Sequence, residues 1–275
     1  MHILRGRLLW YLWLLIFSVF ALFGQALAAS IVIKGSTTLL PIAQMAAEAY
    51  MKRHPEVNIS VSGGGSGNGI KALIDGNTHI ANSSRFIKDV ETKLAQEKGI
   101  LPVPHRVAVD CIVPVVHPSN NLGDITLEQL KDIYTGKIQN WKFLGGPDKP
   151  IAIISRDTSS GTYEVWQEKV LCQEKVTPRA LLQASNGAVA QAVAHNKYAI
   201  GYIGIGYLNP QVKALTVNGV KATVDTARSG AYPISRPLFM FTNGWPEGEI
   251  LNFLNFVLSP EGQKIVEQKG FVGLY

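Results

Sequence analysis

Three turns in this chain carry the side chains that a site for a small oxyanion would use. The first is Ser155-Arg156-Asp157-Thr158-Ser159-Ser160-Gly161-Thr162, between the apolar run 151–154 and a helical pattern that starts at Tyr163. A helix opening at Ser160 or Gly161 points unpaired amide hydrogens and the positive end of its dipole over the turn. That is an anion site in outline. Ser159, Ser160 and Thr162 add hydroxyl donors, Gly161 lets the backbone come close, and Arg156 offers a planar fork of donors matched to an oxyanion. Taken alone, such a turn is read more simply as a Ser/Thr helix cap.

Two further turns shift that balance. Gly35-Ser36-Thr37-Thr38 lies between the apolar run 31–33 and a helical pattern from Leu39, and the glycine-rich stretch from Ser62 to Gly69, with Ser66 at its centre, separates a second strand pattern from a second helix. In an open α/β sheet such strand-to-helix turns gather at the carboxyl ends of the strands and face one crevice. Three of them together predict a tetrahedral oxyanion held by neutral donors. Ser83, Ser84 and Arg85 form a fourth donor cluster at the tip of a short strand. Asp110 is the one acid in the apolar run from Val107 to Val116, so it is tied into hydrogen bonds or functional.

The elements that must position these residues follow from pattern. Strands are expected near 31–33, 57–61, 80–84, 106–116, 151–154, 198–208 and 238–241, and helices after most of them, including one from Thr177 to Asn196 interrupted at Asn186-Gly187. The glycine-punctuated stretch Tyr198 to Leu208 reads as a buried strand or as a crossing between lobes where glycines absorb a hinge change.

Residues 1–28 read as a signal peptide: Arg5 and Arg7 precede an apolar run, and Ala26-Leu27-Ala28 resembles a cleavage site. No cysteine follows, so lipid attachment is not expected, and export with cleavage after about Ala28 leaves 247 residues, enough for two lobes. Without Arg5 and Arg7 the formal charge falls from +6 to +4, with lysines and arginines scattered, which gives no nucleic-acid footprint. Cys111 and Cys172 are the only cysteines; pairing depends on geometry, and two buried free thiols are the expectation. With no CxxC and no ligand spacing among the six histidines, neither a metal site nor a cofactor is expected. A serine hydrolase finds no G-x-S-x-G elbow around Ser66 or Ser160, and a nucleotide loop fails because Lys71 does not directly follow Gly69.

Taken in order, Gly35 to Thr38, Ser62 to Gly69, Asn82 to Arg85, Ile125 to Trp141, Arg156 to Thr162, Ala199 to Tyr202 and Ser259 to Gly262 resemble the PstS-type phosphate-binding proteins of bacterial ABC importers, over nearly the whole mature chain. The resemblance implies an α/β, two-lobed periplasmic binding protein of the type 2 fold, each lobe a central sheet flanked by helices, joined by a two-strand hinge. It places lobe one at 29–113 and 206–275 and lobe two at 114–205. It further implies a periplasmic, non-enzymatic, monomeric protein that closes over inorganic phosphate and serves membrane permease subunits. By position Thr37 and Thr38, with Ser36, match the family's first ligand turn, Ser66 its second, and Arg156, Ser160, Gly161 and Thr162 its third. Ser84 stands where many members carry an aspartate, an acceptor for the proton that phosphate keeps and sulfate lacks. That departure leaves sulfate, molybdate or tungstate open as ligands, as well as a signalling or adhesion module of the same fold. It also makes Asp110 the first substitute acid and Asp157 the second, with Ser83 and Arg85 as further possible ligands.

Overall fold

The structure, a computed structural model, describes residues 29–275, so the expected signal peptide lies outside the described residues. In β1 (Ala29–Gly35) Ile31 and Ile33 are fully buried while Ser30, Val32 and Lys34 are not, the period-two pattern of a strand with one face on the core. The chain turns through Ser36, Thr37 and Thr38 into α1 (Leu40–Arg53), which has Pro41 in its first turn and Ile42, Ala43, Ala46, Ala47 and Tyr50 as its buried stripe. β2 (Val57–Gly63), α2 (Ser66–Ile74), β3 (Ile80–Ser83) and α3 (Asp89–Glu97) continue the alternation. β4 (Pro102–Val116) follows, fifteen residues long and buried on both faces from Val107 onward. At strand rise it extends for about 50 Å.

The second half runs through β5 (Asp124–Ile125), α4 (Leu127–Thr135), β6 (Ala152–Arg156), α5 (Gly161–Lys169), β7 (Leu181–Gln183), α6 (Asn186–Ala194) and β8 (Ala199–Gly204). It closes with β9 (Lys213–Ala214), β10 (Thr216–Val217), α7 (Val224–Arg228), β11 (Ser235–Asn243), α8 (Gly248–Leu258) and α9 (Pro260–Gln268). The main sheet runs β2-β1-β3-β11-β4-β8-β6-β7. β4 belongs to both halves of it: residues up to Cys111 pair antiparallel with β11, and Ile112 to Val116 pair antiparallel with β8. Two separate cores lie on either side of that change of partner, one around Ile31, Ile42, Leu238 and Phe253, the other around Ile112, Trp166, Val189 and Tyr202. The expected α/β architecture of two lobes, each a sheet with flanking helices, is present.

Three expectations differ from what is observed. Val212, Leu215, Val217, Tyr232 and Ile234 pack in the core of the second lobe, so residues 208–234, expected with the first lobe, pack with the second, and the chain returns at β11. The stretch expected as one helix from Thr177 to Asn196 is divided. Leu181–Gln183 pair in parallel with the end of β6, and Ser185 accepts from the Ala188 amide at 3.0 Å and starts a helix afresh at Asn186. Strand pairing overrides helical pattern in the first part, and a local cap sets the start of the second. Finally, Cys111 and Cys172 are both free, but only Cys111 is buried.

Burial, with the Asp110 carboxylate beside it, pushes the Cys111 thiol up to about 12. A thiol held protonated and out of solvent does not react. Alkylation of the native protein is therefore expected to add one label, at Cys172, and denaturant to release the second; intact mass before and after unfolding checks this, and two labels on the native protein would contradict it.

Candidate anion-binding site

The first helical residues after β1, β2, β6 and β7 all open onto the gap between the lobes, because each of those strands is parallel to its neighbours and ends at the same edge. Opening amides of a helix have no partner within it, so α1, α2, α5 and α6 turn their positive ends toward one place. The turn after β6 is preset by its own side chains. Asp157 accepts from the Ser159 amide at 2.9 Å, the Asp157 carbonyl accepts from the Ser160 amide at 3.1 Å, and Ser160 caps Tyr163. Such Asx and N-cap bonds make the turn local and cheap to form.

The expected ligands meet there. Ser36, Thr38, Ser66, Ser84, Arg156, Ser160 and Thr162 are all 2% exposed or less, burial that few polar side chains reach without a reason. Thr37, at 6%, joins them. The lobes touch through these side chains: Thr38 Oγ1 lies 3.1 Å from Thr162 Oγ1, and the Gly67 amide donates to the Ser159 carbonyl at 3.0 Å. Gly65 is at φ 100°, and a methyl group on it would lie 2.6 Å from the Ser159 carbonyl oxygen, so both backbone and contact require glycine. Ser66 Oγ accepts from the Ser84 amide at 3.0 Å and sits 3.2 Å from Ser84 Oγ.

Two residues not among the expected ligands complete the cluster. Arg236, at the head of β11, donates from Nε at 3.0 Å and Nη2 at 2.7 Å to Asp110 Oδ2, and from Nη2 to Thr162 Oγ1 at 3.0 Å and Thr38 Oγ1 at 3.2 Å. Asn186 donates from Nδ2 to Thr37 Oγ1 at 3.2 Å and Thr38 Oγ1 at 3.1 Å, while its Oδ1 accepts from the Gly204 amide at 3.1 Å, which fixes the orientation of the amide. Arg236 and Asn186 thus fill the acceptor positions of Thr38, so Thr38 Oγ1 donates to Thr162 Oγ1, and with the bond from Arg236 this fills the acceptor positions of Thr162. The Thr162 hydroxyl hydrogen is left free for a ligand. A signal for Arg236 existed: two apolar runs, 107–116 and 236–241, each carry one charge of opposite sign, and they pair as neighbouring strands.

Arg156 is held differently. Its Nε donates to the Gln183 carbonyl and its Nη2 to the Ala184 carbonyl, each at 3.0 Å, and its amide donates to the Tyr202 hydroxyl at 3.2 Å. Tyr202 itself is stacked on Trp166 at 4.2 Å between ring centroids. The Nη1 atoms of both Arg156 and Arg236 are buried and have no partner among the described residues. Burial draws both guanidinium pKa values below the ordinary arginine value, against the opposing pull of Asp110 on Arg236 and of Tyr202 and Asp157 on Arg156. The charge of Arg236 is felt at Arg156, and the buried carboxylate of Asp110 is paired with Arg236, its pKa raised by burial against the pull of that arginine. The arrangement is a dry, donor-rich cage with an excess of positive charge, which an oxyanion neutralises.

The three further candidates are committed elsewhere. Asp110 is occupied by Arg236 and by the Ile205 amide at 3.0 Å, so it orients a cation and is not an open acceptor. Ser83 Oγ donates to the Arg85 carbonyl at 2.8 Å. Arg85 pairs with Glu91 through both Nη atoms, at 2.8 and 2.7 Å, and through Nε with Glu164. Of the two readings of Tyr198 to Leu208, a buried strand or a crossing between lobes, the stretch follows the first: it holds the buried strand β8 of the second lobe, whose continuation brings Ile205 and Tyr207 against both cores. Among the described residues no group of His, Cys, Asp and Glu side chains is arranged to hold a metal ion.

With this geometry in hand, the likeness to known proteins is specific. The sequence profile of the PBP superfamily domain matches residues 24–261. The phosphate-binding protein PstS of Bacillus subtilis is 34% identical over 247 residues, 89% of this chain and 81% of that protein. Its namesake in Pseudomonas aeruginosa is 32% identical over 263 residues, 87% of this chain and 81% of that protein. A Clostridium perfringens protein solved with bound phosphate superposes with a TM-score of 0.83 at 37% identity, covering 90% of this chain and all of that one. An ABC-type phosphate transport receptor from Vibrio cholerae gives a TM-score of 0.73 at 32% identity over 88% of this chain and 99% of that one. The chain belongs to the PBP superfamily and, within it, to the PstS-type phosphate-binding proteins.

Proposed function

We propose that this protein captures inorganic phosphate between its lobes and delivers it to the permease subunits of an ABC importer, acting outside the cytoplasmic membrane after export by its leader. The observation that carries this reading is the pair of buried guanidinium nitrogens, Nη1 of Arg156 and Nη1 of Arg236, without a partner among the described residues, together with the buried hydroxyls that meet between the lobes. Ser36, Thr37, Thr38, Ser66, Ser84, Arg156, Ser160, Gly161 and Thr162 form the cage, and Arg236 joins them. Delivery to a permease is supported by the names of relatives, and the periplasmic location by Arg5, Arg7 and the apolar run that follows them. That the ligand is bound and released unchanged is supported by the relatives, which are named as phosphate-binding proteins.

Selectivity takes an unusual form here. Phosphate keeps a proton near neutrality and needs an acceptor for it, yet both nearby acids are engaged, Asp110 with Arg236 and Asp157 with Ser159. Among the described residues the Ser84 hydroxyl is linked only to Ser66 Oγ, at 3.2 Å, which leaves it as a buried acceptor with spare capacity. A neutral hydroxyl refuses sulfate less firmly than a carboxylate would. Calorimetry of the mature protein is expected to show one phosphate site and sulfate binding weaker by about 10- to 100-fold, the scale of one misplaced buried hydrogen bond. Sulfate binding more tightly than phosphate would overturn the assignment.

A further inference from the structure

Outside the cage, a second set of charges joins the lobes. Arg85 and Lys88 belong to the first lobe, beside α3, which packs through Ala95 against Ile70 and Ile74 of α2. Glu164 belongs to the second lobe, in the first turn of α5, whose Val165 and Trp166 lie in that lobe's core. Glu164 pairs with Arg85 Nε, and Lys88 Nζ lies 2.9 Å from Glu164 Oε2. The side chains of Arg85 and Glu164 are 7% and 14% exposed, so this is not a solvated surface pair of negligible effect.

We propose that Glu164 is a positioning residue for phosphate capture, an ionic latch that holds the anion-binding start of α5 against the first lobe; the proposal rests on the phosphate reading above. Glu91 supplies the reason that Glu164 alone acts as the moving part. It binds both Nη atoms of Arg85 and accepts from the Lys88 amide at 2.9 Å, and all three groups sit on the first lobe, so those bonds survive any separation of the lobes. Arg85 is thus already oriented before closure, and its Nε and the Lys88 ammonium await one carboxylate. With Glu164 in place, two cations and two anions cancel; with it withdrawn, the first lobe keeps an excess positive charge at the mouth of the cleft. Burial works against the charge of Arg85, and the Glu91 and Glu164 carboxylates outweigh it, holding its pKa above the ordinary value.

Glu164 stands two residues after Thr162 and three after Gly161 on the same helix. The helix therefore seats two things at once, the anion at its first amides and the latch one turn on. Breaking the latch acts on the closed state and so on the rate at which phosphate leaves, as loss of one partner of a desolvated pair acts on dissociation more than on association.

The test is stopped-flow release of inorganic phosphate, with calorimetry for affinity, on the mature protein and on Glu164→Gln and Lys88→Gln. Glu164→Gln is expected to release phosphate faster by on the order of tenfold, with the association rate little changed, and Lys88→Gln, half exposed, by a few-fold. Raising salt from about 0.01 M to about 1 M, over which the screening length falls from about 30 Å to about 3 Å, should accelerate release from the unaltered protein and do so less in Glu164→Gln. A purely structural role for Glu164 would lower the melting temperature of the phosphate-free variant and leave that salt slope unchanged. Tight binding by the unaltered protein with equal release rates and equal salt slopes in Glu164→Gln would end the latch alone. Absence of phosphate binding by the unaltered protein would end the phosphate reading and the latch with it.

Discussion

Arg236→Ala is expected both to abolish tight phosphate binding and to destabilise the fold strongly, whereas Arg156→Ala is expected to abolish tight binding at a smaller cost in stability. Each substitution removes one of two guanidinium groups whose Nη1 is buried without a partner among the described residues. Truncating a desolvated charge that meets an oppositely charged ligand costs about 2–5 kcal/mol, or roughly 30- to several-thousand-fold in affinity. The two differ in what is left behind. Arg156 is anchored on the carbonyls of Gln183 and Ala184, neutral groups whose loss of a donor costs about 1 kcal/mol each. Arg236 is anchored on Asp110, which is fully buried and keeps only backbone donors once the arginine is gone. Removing one partner of such a pair destabilises by about 3–5 kcal/mol, a large part of the roughly 5–15 kcal/mol that a domain has. Adding Asp110→Asn to Arg236→Ala should restore much of the stability and none of the affinity. Chemical denaturation and phosphate calorimetry on the four proteins separate these effects, and a stable, tightly binding Arg236→Ala would remove that residue from the site.

Gly161→Ala is expected to weaken phosphate binding by about 5- to 150-fold while leaving the phosphate-free protein as stable as before or slightly more so. A methyl group at this position would lie 2.3 Å from Ser66 Oγ and 2.9 Å from both Ser66 Cβ and Ser84 Oγ, all on the opposite lobe. Crowding of that kind costs about 1–3 kcal/mol, and it is felt only when the lobes meet. In the separated protein the same change favours the helix, since glycine gains more freedom on unfolding than alanine. Opposite signs for affinity and stability are hard to obtain from a general packing defect. A melting temperature that falls together with affinity would show that Gly161 serves the second lobe by itself and not the meeting of the two.

Much of this was legible in the sequence because it is written locally. Strand, hydroxyl turn and helix at 31–53, 57–74 and 151–169 each depend on residues within a few positions, and the cage residues on those turns fall where pattern places them. What could not be read was long-range pairing. Asp110 shows in sequence as an acid in need of a partner, but 126 positions separate it from Arg236, and only the pairing of β4 with β11 brings them together. Asn186 reads as a break in a helix, and its contacts with Thr37 and Thr38 exist only across the cleft. Arg85 sits in a donor cluster by sequence, yet Glu91 and Glu164 claim it, and one of those lies 79 positions away. The return of the chain to the first lobe was likewise set by packing of Leu215 and Tyr232, which no local signal marks.

The strand that both sheets share has a consequence for how the ligand is taken. Asp110 lies on β4 within two residues of the change of partner from β11 to β8, so Arg236 is tethered close to the axle and not far out on either arm. A group near an axle sweeps a short arc however wide the arms swing, while Arg156, out on the moving arm, travels the full distance. An arriving ion is therefore expected to find one counter-charge already waiting in the open jaw, to receive the second as the jaw shuts, and to leave in the reverse order.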